Sequence, residues 1–453
     1  MTATWSAVGD DARLAERRER SSRIPDLLFG LVLPLGDLNI AFVPVNELAA
    51  AAIILLASFR RPRFRLPLMV PVVLVALWLE LVGSGLANDV VNIRRLGHLA
   101  IVVALVVVIG QGRVHLTSLA RGIGLGLAIG IPVSLPSIVT GGYPGRLTGL
   151  FGDPNGAGML MVTMTPLVMG VVRGRWRWLV GLLGAGGVLL TFSRTSLLAL
   201  AFVVVWMLVA SRLSLWLGAA ILGPVAVLVA GQLESLRLAG PFAARQGSDL
   251  LRERIAEAAA QMLEVTPWYG NGPGTARVTV QNLTFFLHNS YDAVRLEGGW
   301  VALVLLLSVA AFALFRVATS RHEVRNAWFE AALGASLICA LNLGEVLLEL
   351  QFATIVGVLY LLSAAQRGEL VPDEHQVQWA QYETAFQLRA GRVGDDDFVT
   401  RIQQSEGLLG RPEEPSRTLD HDIAPVLLDH ETPSRLIESE LPEGPPVSRL
   451  DTP

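Results

Sequence analysis

The chain contains no lysine. Arginine therefore carries its whole basic signal, and any orientation across a membrane must be read from arginine alone. Cysteine occurs once, at Cys339, so no intramolecular disulfide forms and redox compartment is not legible. Charge of either sign is scarce: charged residues are 17% of the chain against 52% hydrophobic. With a mean hydropathy of +0.51, that is the composition of a membrane protein. The sequence has no P-loop, no dinucleotide fingerprint and no basic stripe for nucleic acid. His98, His115 and His322 are scattered, with no carboxylate cluster at metal-ligand spacing. A metal, a cofactor and a nucleic-acid partner are therefore not expected. The N-terminal stretch alternates in charge and lacks the shape of a signal peptide.

The apolar content falls in runs of about 14 to 22 residues, most of them long enough to cross a bilayer as helix. They predict spans near 26–43, 46–59, 68–86, 96–111, 122–138, 155–172, 178–192, 195–211, 215–231, 298–315, 326–343 and 346–365. The expected fold is therefore all-α, a polytopic integral membrane protein with about twelve transmembrane helices. Pro34, Gly36 and Asp37 interrupt the first span, a break tolerated only against protein or water. Arg60, Arg61, Arg63 and Arg65 follow the second span, Arg173, Arg175 and Arg177 the sixth, and Arg316, Arg321 and Arg325 the tenth. With an even number of spans these loops share one side, so both termini are expected in the cytoplasm. Arg94 and Arg95 are exceptions that fall on the other face. Three regions are then extracytoplasmic: the loop at 139–153, the junction at 192–195, and one large loop at about 232–297 that contains helices.

This gives three parts: a cytoplasmic segment 1–25, a transmembrane domain 26–365, and a tail 366–453. The tail is rich in Asp, Glu, Pro and Gln and carries roughly ten net negative charges. A short helix or two is expected over 374–408 and disorder from about 410. Such a tail could recruit a cytoplasmic partner.

Charged groups between apolar spans are expensive and ask for a reason. Asp153-Pro154 suits an N-cap followed by the first helical position, so a helix should begin there. Its free N–H groups and positive dipole end make an anion site, and Arg146 could close over a phosphate from just upstream. The alternative is a capped loop with a solvent-facing arginine. Ser193-Arg194-Thr195 repeats the arrangement, with Arg194 either snorkelling to headgroups or turned inward to an anion. Residues 251–262 form an amphipathic helix candidate, with Leu251, Ile255, Ala258, Ala259 and Met262 on one face. A charged helix lying on the membrane surface is the reading that the residues alone favour. Gly270, Gly272 and Gly274 are a weak phosphate-loop signal, because no strand precedes them. His288 sits at the mouth of a span, where a neutral imidazole is a competent base and a structural role is the alternative. Glu297 either orients partners or marks the start of the helix, and the second is the expectation.

The order of these features resembles the O-antigen ligase and polymerase family over about residues 26–365. It runs from Arg146-x-x-Gly149-x-Phe151-x-Asp153-Pro154-Asn155 to Ser193-Arg194. An arginine and Pro267-x-x-Gly270-x-Gly272 in the large loop come next, then His288-Asn289 and Glu297-x-Gly299. The family's loop arginine lies some fifteen residues before its Pro-Gly turn, which selects Arg252 over Arg254. Ala302 departs from the ligase branch of the pattern. The resemblance implies a metal-independent, inverting glycosyltransferase of the cell envelope. Its donor is a glycan on a polyprenyl diphosphate, its acceptor a sugar hydroxyl, and its site the outer face of the cytoplasmic membrane. In that reading Arg194 and His288 are catalytic, while Arg146, Asn155, Arg252 and Asn289 bind substrate. The absence of lysine fits a GC-rich genome in which lipopolysaccharide need not be the acceptor, so polymerase is favoured over ligase. The alternative from another class is a transporter or flippase of a lipid-linked sugar. It asks for charges near the bilayer midplane and broken helices, whereas these residues cluster at one face.

Overall fold

The computed structural model describes residues 23–36, 38–40, 43–232, 246–319 and 326–371, with no side chains described at 230–232 and 246–249. The expected cytoplasmic segment up to residue 22, the start of the large loop at 233–245, and the whole tail from 372 lie outside the described residues. The chain divides into two units, Met1–Val371 and Pro372–Pro453, and every described residue belongs to the first.

The described chain is mostly helical. It opens with α1 (Ile24–Val32), a hairpin of β1 (Asn39–Ile40) and β2 (Val43–Pro44), then α2 (Val45–Ser58), α3 (Met69–Ala87), α4 (Ile93–Gly110) and α5 (Leu116–Ser134). A short α6 (Ser137–Thr140) and a 3-10 turn precede α7 (Pro154–Val171), α8 (Arg175–Thr191), α9 (Arg194–Val209) and α10 (Leu215–Gln232). After α11 (Gln246–Val265) comes a second hairpin of β3 (Arg277–Val280) and β4 (Leu283–Phe286). Then follow α12 (Ser290–Ala318), α13 (Ala327–Ala340) and α14 (Leu350–Gln366). Of these helices α3, α4, α5 and α12 are long and apolar enough to cross a membrane by length and composition.

Helices coincide with eleven of the expected spans. The first is corrected: α1 has nine residues, which at about 1.5 Å per residue reaches less than halfway across a hydrocarbon core. Pro34 and Gly36 stop it and the β1–β2 hairpin follows. The fifth is shifted, since α5 begins at Leu116 rather than near 122 and takes Arg121 inside the helix.

Packing is of the kind found without a water-driven hydrophobic force between helices. Small residues bring backbones together. A Cβ on Gly122 would lie 2.1 Å from the Leu27 carbonyl oxygen, and one on Gly30 2.2 Å from that of Leu119, so α1 and α5 touch along their backbones. The outward faces are apolar: Val72, Val75 and Leu79 of α3 and Leu125, Ile129 and Val133 of α5 are all exposed. These rows recur at helical spacing and present surface suited to lipid rather than water.

Polar contacts gather at the two ends of the bundle. At one end Arg60 pairs with the fully buried Asp26 at 2.6 Å. Asp26 also accepts from the His115 backbone N–H at 2.7 Å. Arg113 donates to the carbonyls of Ala57 and Ser58, and Arg316 pairs with Glu369. The Arg-rich loop after α2 therefore shares this end with the last turn of α12 and the residues after α14. The other end holds the starts of α2, α4, α7 and α12.

Candidate active site

The helix starts at that second end are built by short polar caps. Asn92 Oδ1 accepts from the Arg95 N–H at 3.0 Å and opens α4. Asp153 Oδ1 accepts from the N–H groups of Asn155 at 2.8 Å and Gly156 at 3.3 Å and opens α7, with Pro154 at its first position. Asn289 Oδ1 accepts from Tyr291 and Asp292 and opens α12. Ser193 caps α9, so Arg194 is the first residue of that helix. Each cap satisfies donors that the first turn leaves without intrahelical partners.

These caps bear on two of the expected anion and substrate contacts. The N–H groups at the start of α7 are not free for a ligand anion, because the Asp153 carboxylate receives them. Asn289 serves its own helix and does not line the cavity at this end of the bundle.

The loop between α5 and α7 is stitched down at both margins. Ser134 Oγ accepts from Leu150 N–H and Ser137 Oγ from Thr148 N–H, each at 3.0 Å. Leu147 N–H donates to the Leu190 carbonyl at 2.9 Å. Arg146 follows from this anchoring. Its Nε donates to the Thr191 carbonyl at 2.7 Å and one terminal nitrogen to Asn155 Oδ1 at 3.2 Å. The Tyr143 ring lies 6.0 Å from its guanidinium carbon.

Within the large loop, α11 buries Ile255, Ala259 and Leu263 against Val278 of β3 and Leu296 of α12. It is thus docked on protein by the apolar face the periodicity predicts. The hairpin beneath it was not expected from the sequence, although its signal is there. Arg277 to Phe286 alternates along two short strands joined at Gln281-Asn282, both with positive φ, the conformation a tight hairpin turn requires. The Pro-Gly turn is structural too. α12 breaks at Gly298–Gly299, where Gly299 has φ +67° and a Cβ would lie 1.8 Å from the Trp268 carbonyl oxygen. Asn271 and Gly272 donate their N–H groups to the Leu296 and Glu297 carbonyls freed by the break, at 2.8 and 2.9 Å. Those donors satisfy a broken helix, so the turn is no phosphate cradle.

These elements surround a cavity of about 1000 Å³. Arg146, Asn155, Arg252 and His288 all line it, brought together from the α5–α7 loop, α7, α11 and the β4–α12 junction. Arg254, two residues along α11, is exposed and does not. Arg194 is half-buried and also absent from the lining; it stands three residues beyond the carbonyl that receives Arg146. His288 opens to the cavity, and its pKa lies below the usual histidine value. Withdrawal from bulk water is the first cause and the Arg252 charge the second, with Asp153 working against both.

The remaining lining was missed from sequence. Glu47, His98, Glu345 and Glu349 give the cavity an acidic side. Both ring nitrogens of His98 are engaged, Nδ1 with Glu47 Oε1 at 2.8 Å and Nε2 with the Leu348 carbonyl at 3.0 Å. Gly344 lets the α13–α14 loop close on the backbone at Leu287: a Cβ there would lie 1.7 Å from the Leu287 carbonyl oxygen. His288 therefore adjoins the loop that carries Glu345 and Glu349. Ionisable residues inside apolar runs were the available signal.

Behind the cavity Arg95 Nε donates to Glu297 Oε2 at 3.2 Å, and Glu345 lies 3.8 Å from the same guanidinium. Glu297, expected to mark a helix start, is instead buried and paired. Arg95→Met should leave that carboxylate without its main counter-charge, a loss on the order of 3–5 kcal/mol for a buried pair broken on one side. A thermal melt in detergent should show a large drop for Arg95→Met and substantial recovery in Arg95→Met/Glu297→Leu. A single variant that melts like the parent would remove the pair from the account of stability.

Among the described residues no three His, Cys, Asp or Glu side chains gather to hold a metal ion. Comparison with protein-family models and with curated proteins finds no match to this chain.

Proposed function

We propose that this protein transfers or polymerises a polyprenyl-diphosphate-linked glycan onto an acceptor sugar, at the outer face of the cytoplasmic membrane. One observation carries the reading: a single large cavity at one end of an apolar helical bundle gathers His288, Arg146, Arg252 and Asn155 from separate parts of the chain. The arginines suit a diphosphate, which accepts planar two-point hydrogen bonds and carries the charge that grows as it leaves. His288, whose neutral form is favoured by its withdrawal from bulk water and by the Arg252 charge, suits a base. The acceptor hydroxyl oxygen attacks the anomeric carbon and its proton passes to His288. The bond from the anomeric carbon to the diphosphate oxygen breaks, the electron pair leaves with the polyprenyl diphosphate, and the anomeric centre inverts. Arg194, beside the turn that fixes Arg146, adds positive charge to the leaving-group side, and Asn155 holds Arg146 in place.

An apolar cavity of about 180 Å³ suits the lipid part of such a donor. It is lined by Phe202, Trp206, Leu215, Ala226 and Tyr291, and Tyr291 is three residues from His288. In this reading the other apolar helices join α3, α4, α5 and α12 as spans, and α1 with the β1–β2 hairpin carries the chain from the Arg60 end to the cavity end, which makes about twelve crossings and leaves both termini cytoplasmic. The reading as a transporter or flippase draws on the break in α12. That break is filled by the Trp268–Gly270 backbone rather than open to a path, which favours the enzyme.

Orientation is open to a direct test. The native Cys339 is buried, so background labelling should be low. In intact cells an impermeant thiol reagent should label Tyr143→Cys, at the cavity mouth, and spare Arg61→Cys. The reverse pattern would put the cavity on the cytoplasmic side and end the proposal for an extracytoplasmic transferase.

A further inference from the structure

Two side chains on the cavity lining have unused hydrogen-bonding capacity. Asn46 and Gln351 are each 6% exposed and both line the cavity. The amide oxygen of each is buried and accepts no hydrogen bond. Gln351 Nε2 donates to the Leu33 carbonyl at 3.5 Å, which holds the amide by its nitrogen. Buried acceptors left this way are costly and call for a donor.

Their neighbourhood limits what that donor can be. Asn46 precedes Glu47 on α2, and Gln351 follows Glu349 at the start of α14. Glu47 is held in place by His98, which is itself fixed by the Leu348 carbonyl. Arg94 and His98 of α4, the latter with both ring nitrogens on acceptor oxygens, stand on the lining with the carboxylates of Glu47, Glu345 and Glu349, and Arg95 lies 3.8 Å from Glu345. The cations here are already matched by carboxylates, so this surface offers an anion little and presents acceptors instead. A ligand rich in neutral hydroxyl donors matches it, because carboxylates and amide oxygens accept from hydroxyls without a charge to neutralise. We infer that Asn46, Glu47 and Gln351 form a subsite for the hydroxyl groups of a neutral sugar ring. His98 positions Glu47 within it. This deepens the glycan-transfer reading and rests on it for the identity of the sugar. The ring belongs either to the acceptor or to the glycan of the donor.

The test uses the full-length protein in nanodiscs. The probe is the oligosaccharide released by mild acid from the cell's own lipid-linked pool. Asn46→Leu and Gln351→Leu keep volume and remove the acceptors, while Gln351→Glu keeps acceptor oxygens in place. Each leucine variant should weaken oligosaccharide binding about tenfold or more, since a polar subsite discriminates strongly when its hydrogen bonds are lost, and Gln351→Glu should retain binding. In the transfer assay a raised acceptor KM with unchanged donor affinity assigns the ring to the acceptor. Weakened binding of the intact lipid-linked donor assigns it to the donor. Folded leucine variants that bind oligosaccharide, acceptor and donor like the parent overturn the subsite while leaving the transferase reading intact. Oligosaccharide binding that is lost in the leucine variants, in a protein with no transfer activity, upholds the subsite and removes the transferase.

Discussion

His288→Ala should lower glycan transfer by about 10²–10⁴-fold, the usual contribution of a positioned base, with little change in the amount of protein in the membrane. Alanine leaves nothing on the cavity lining at that point to take the hydroxyl proton. Donor binding should be largely spared, because the base acts on the acceptor, and lipid-linked donor should accumulate. The pH dependence carries a sign that a structural histidine would not give. The base works when neutral, so activity is present above its pKa and is lost as pH falls through it. That pKa lies below the ordinary histidine value. The acidic limb of kcat/KM should therefore sit below about pH 6.5, and it should vanish in any residual activity of His288→Ala. Transfer by the purified variant at the parental rate would return His288 to a packing role.

Arg252→Ala should have the next largest effect, and it should act twice. It removes a cation from the cavity, so donor affinity and turnover both fall. It also removes the positive neighbour that helps depress His288, so the acidic limb should move to higher pH. Arg194→Ala should likewise abolish transfer and weaken donor binding. Because Arg194 does not line the cavity, it should leave that limb nearly in place. Lysine at position 252 should rescue only partly, since an ammonium cannot reproduce a planar two-point contact with a diphosphate. An Arg252→Ala protein with the parental donor affinity and an unmoved acidic limb would separate Arg252 from both roles.

Much of the bundle was legible because its signals are local. Asp153-Pro154 and Ser193 cap the helices they precede, as their residue types indicate, and the apolar runs set helix positions. The first span misled because Leu-rich composition continues through Pro34 and Gly36, where backbone geometry has already ended the helix. Hairpin β3–β4 was passed over within a loop read for helices, although Gln281-Asn282 is a turn with a mechanism. Within the site, four of six expected residues line one cavity. Asn289 does not, because its side chain caps its own helix, and Arg194 stands outside the lining at the first position of α9. The acidic side was harder. Glu47, His98, Glu345 and Glu349 lie far apart in sequence, and nothing local announces that α2, α4 and the α13–α14 loop meet. Each was visible singly as an ionisable group in an apolar stretch. Arg94 and Arg95, which broke the charge pattern along the sequence, have their reason at this end of the bundle. Arg94 lines the cavity, and Arg95 neutralises the buried Glu297.

The most direct measurement is transfer by the purified protein alone. The full chain is reconstituted in nanodiscs with lipid-linked donor from cells that lack it, plus an acceptor glycan. The account predicts longer glycan, release of polyprenyl diphosphate in equal amount, inversion at the new linkage, and none of these with His288→Ala. Movement of intact donor across a vesicle bilayer, with no new glycosidic bond formed, would contradict it.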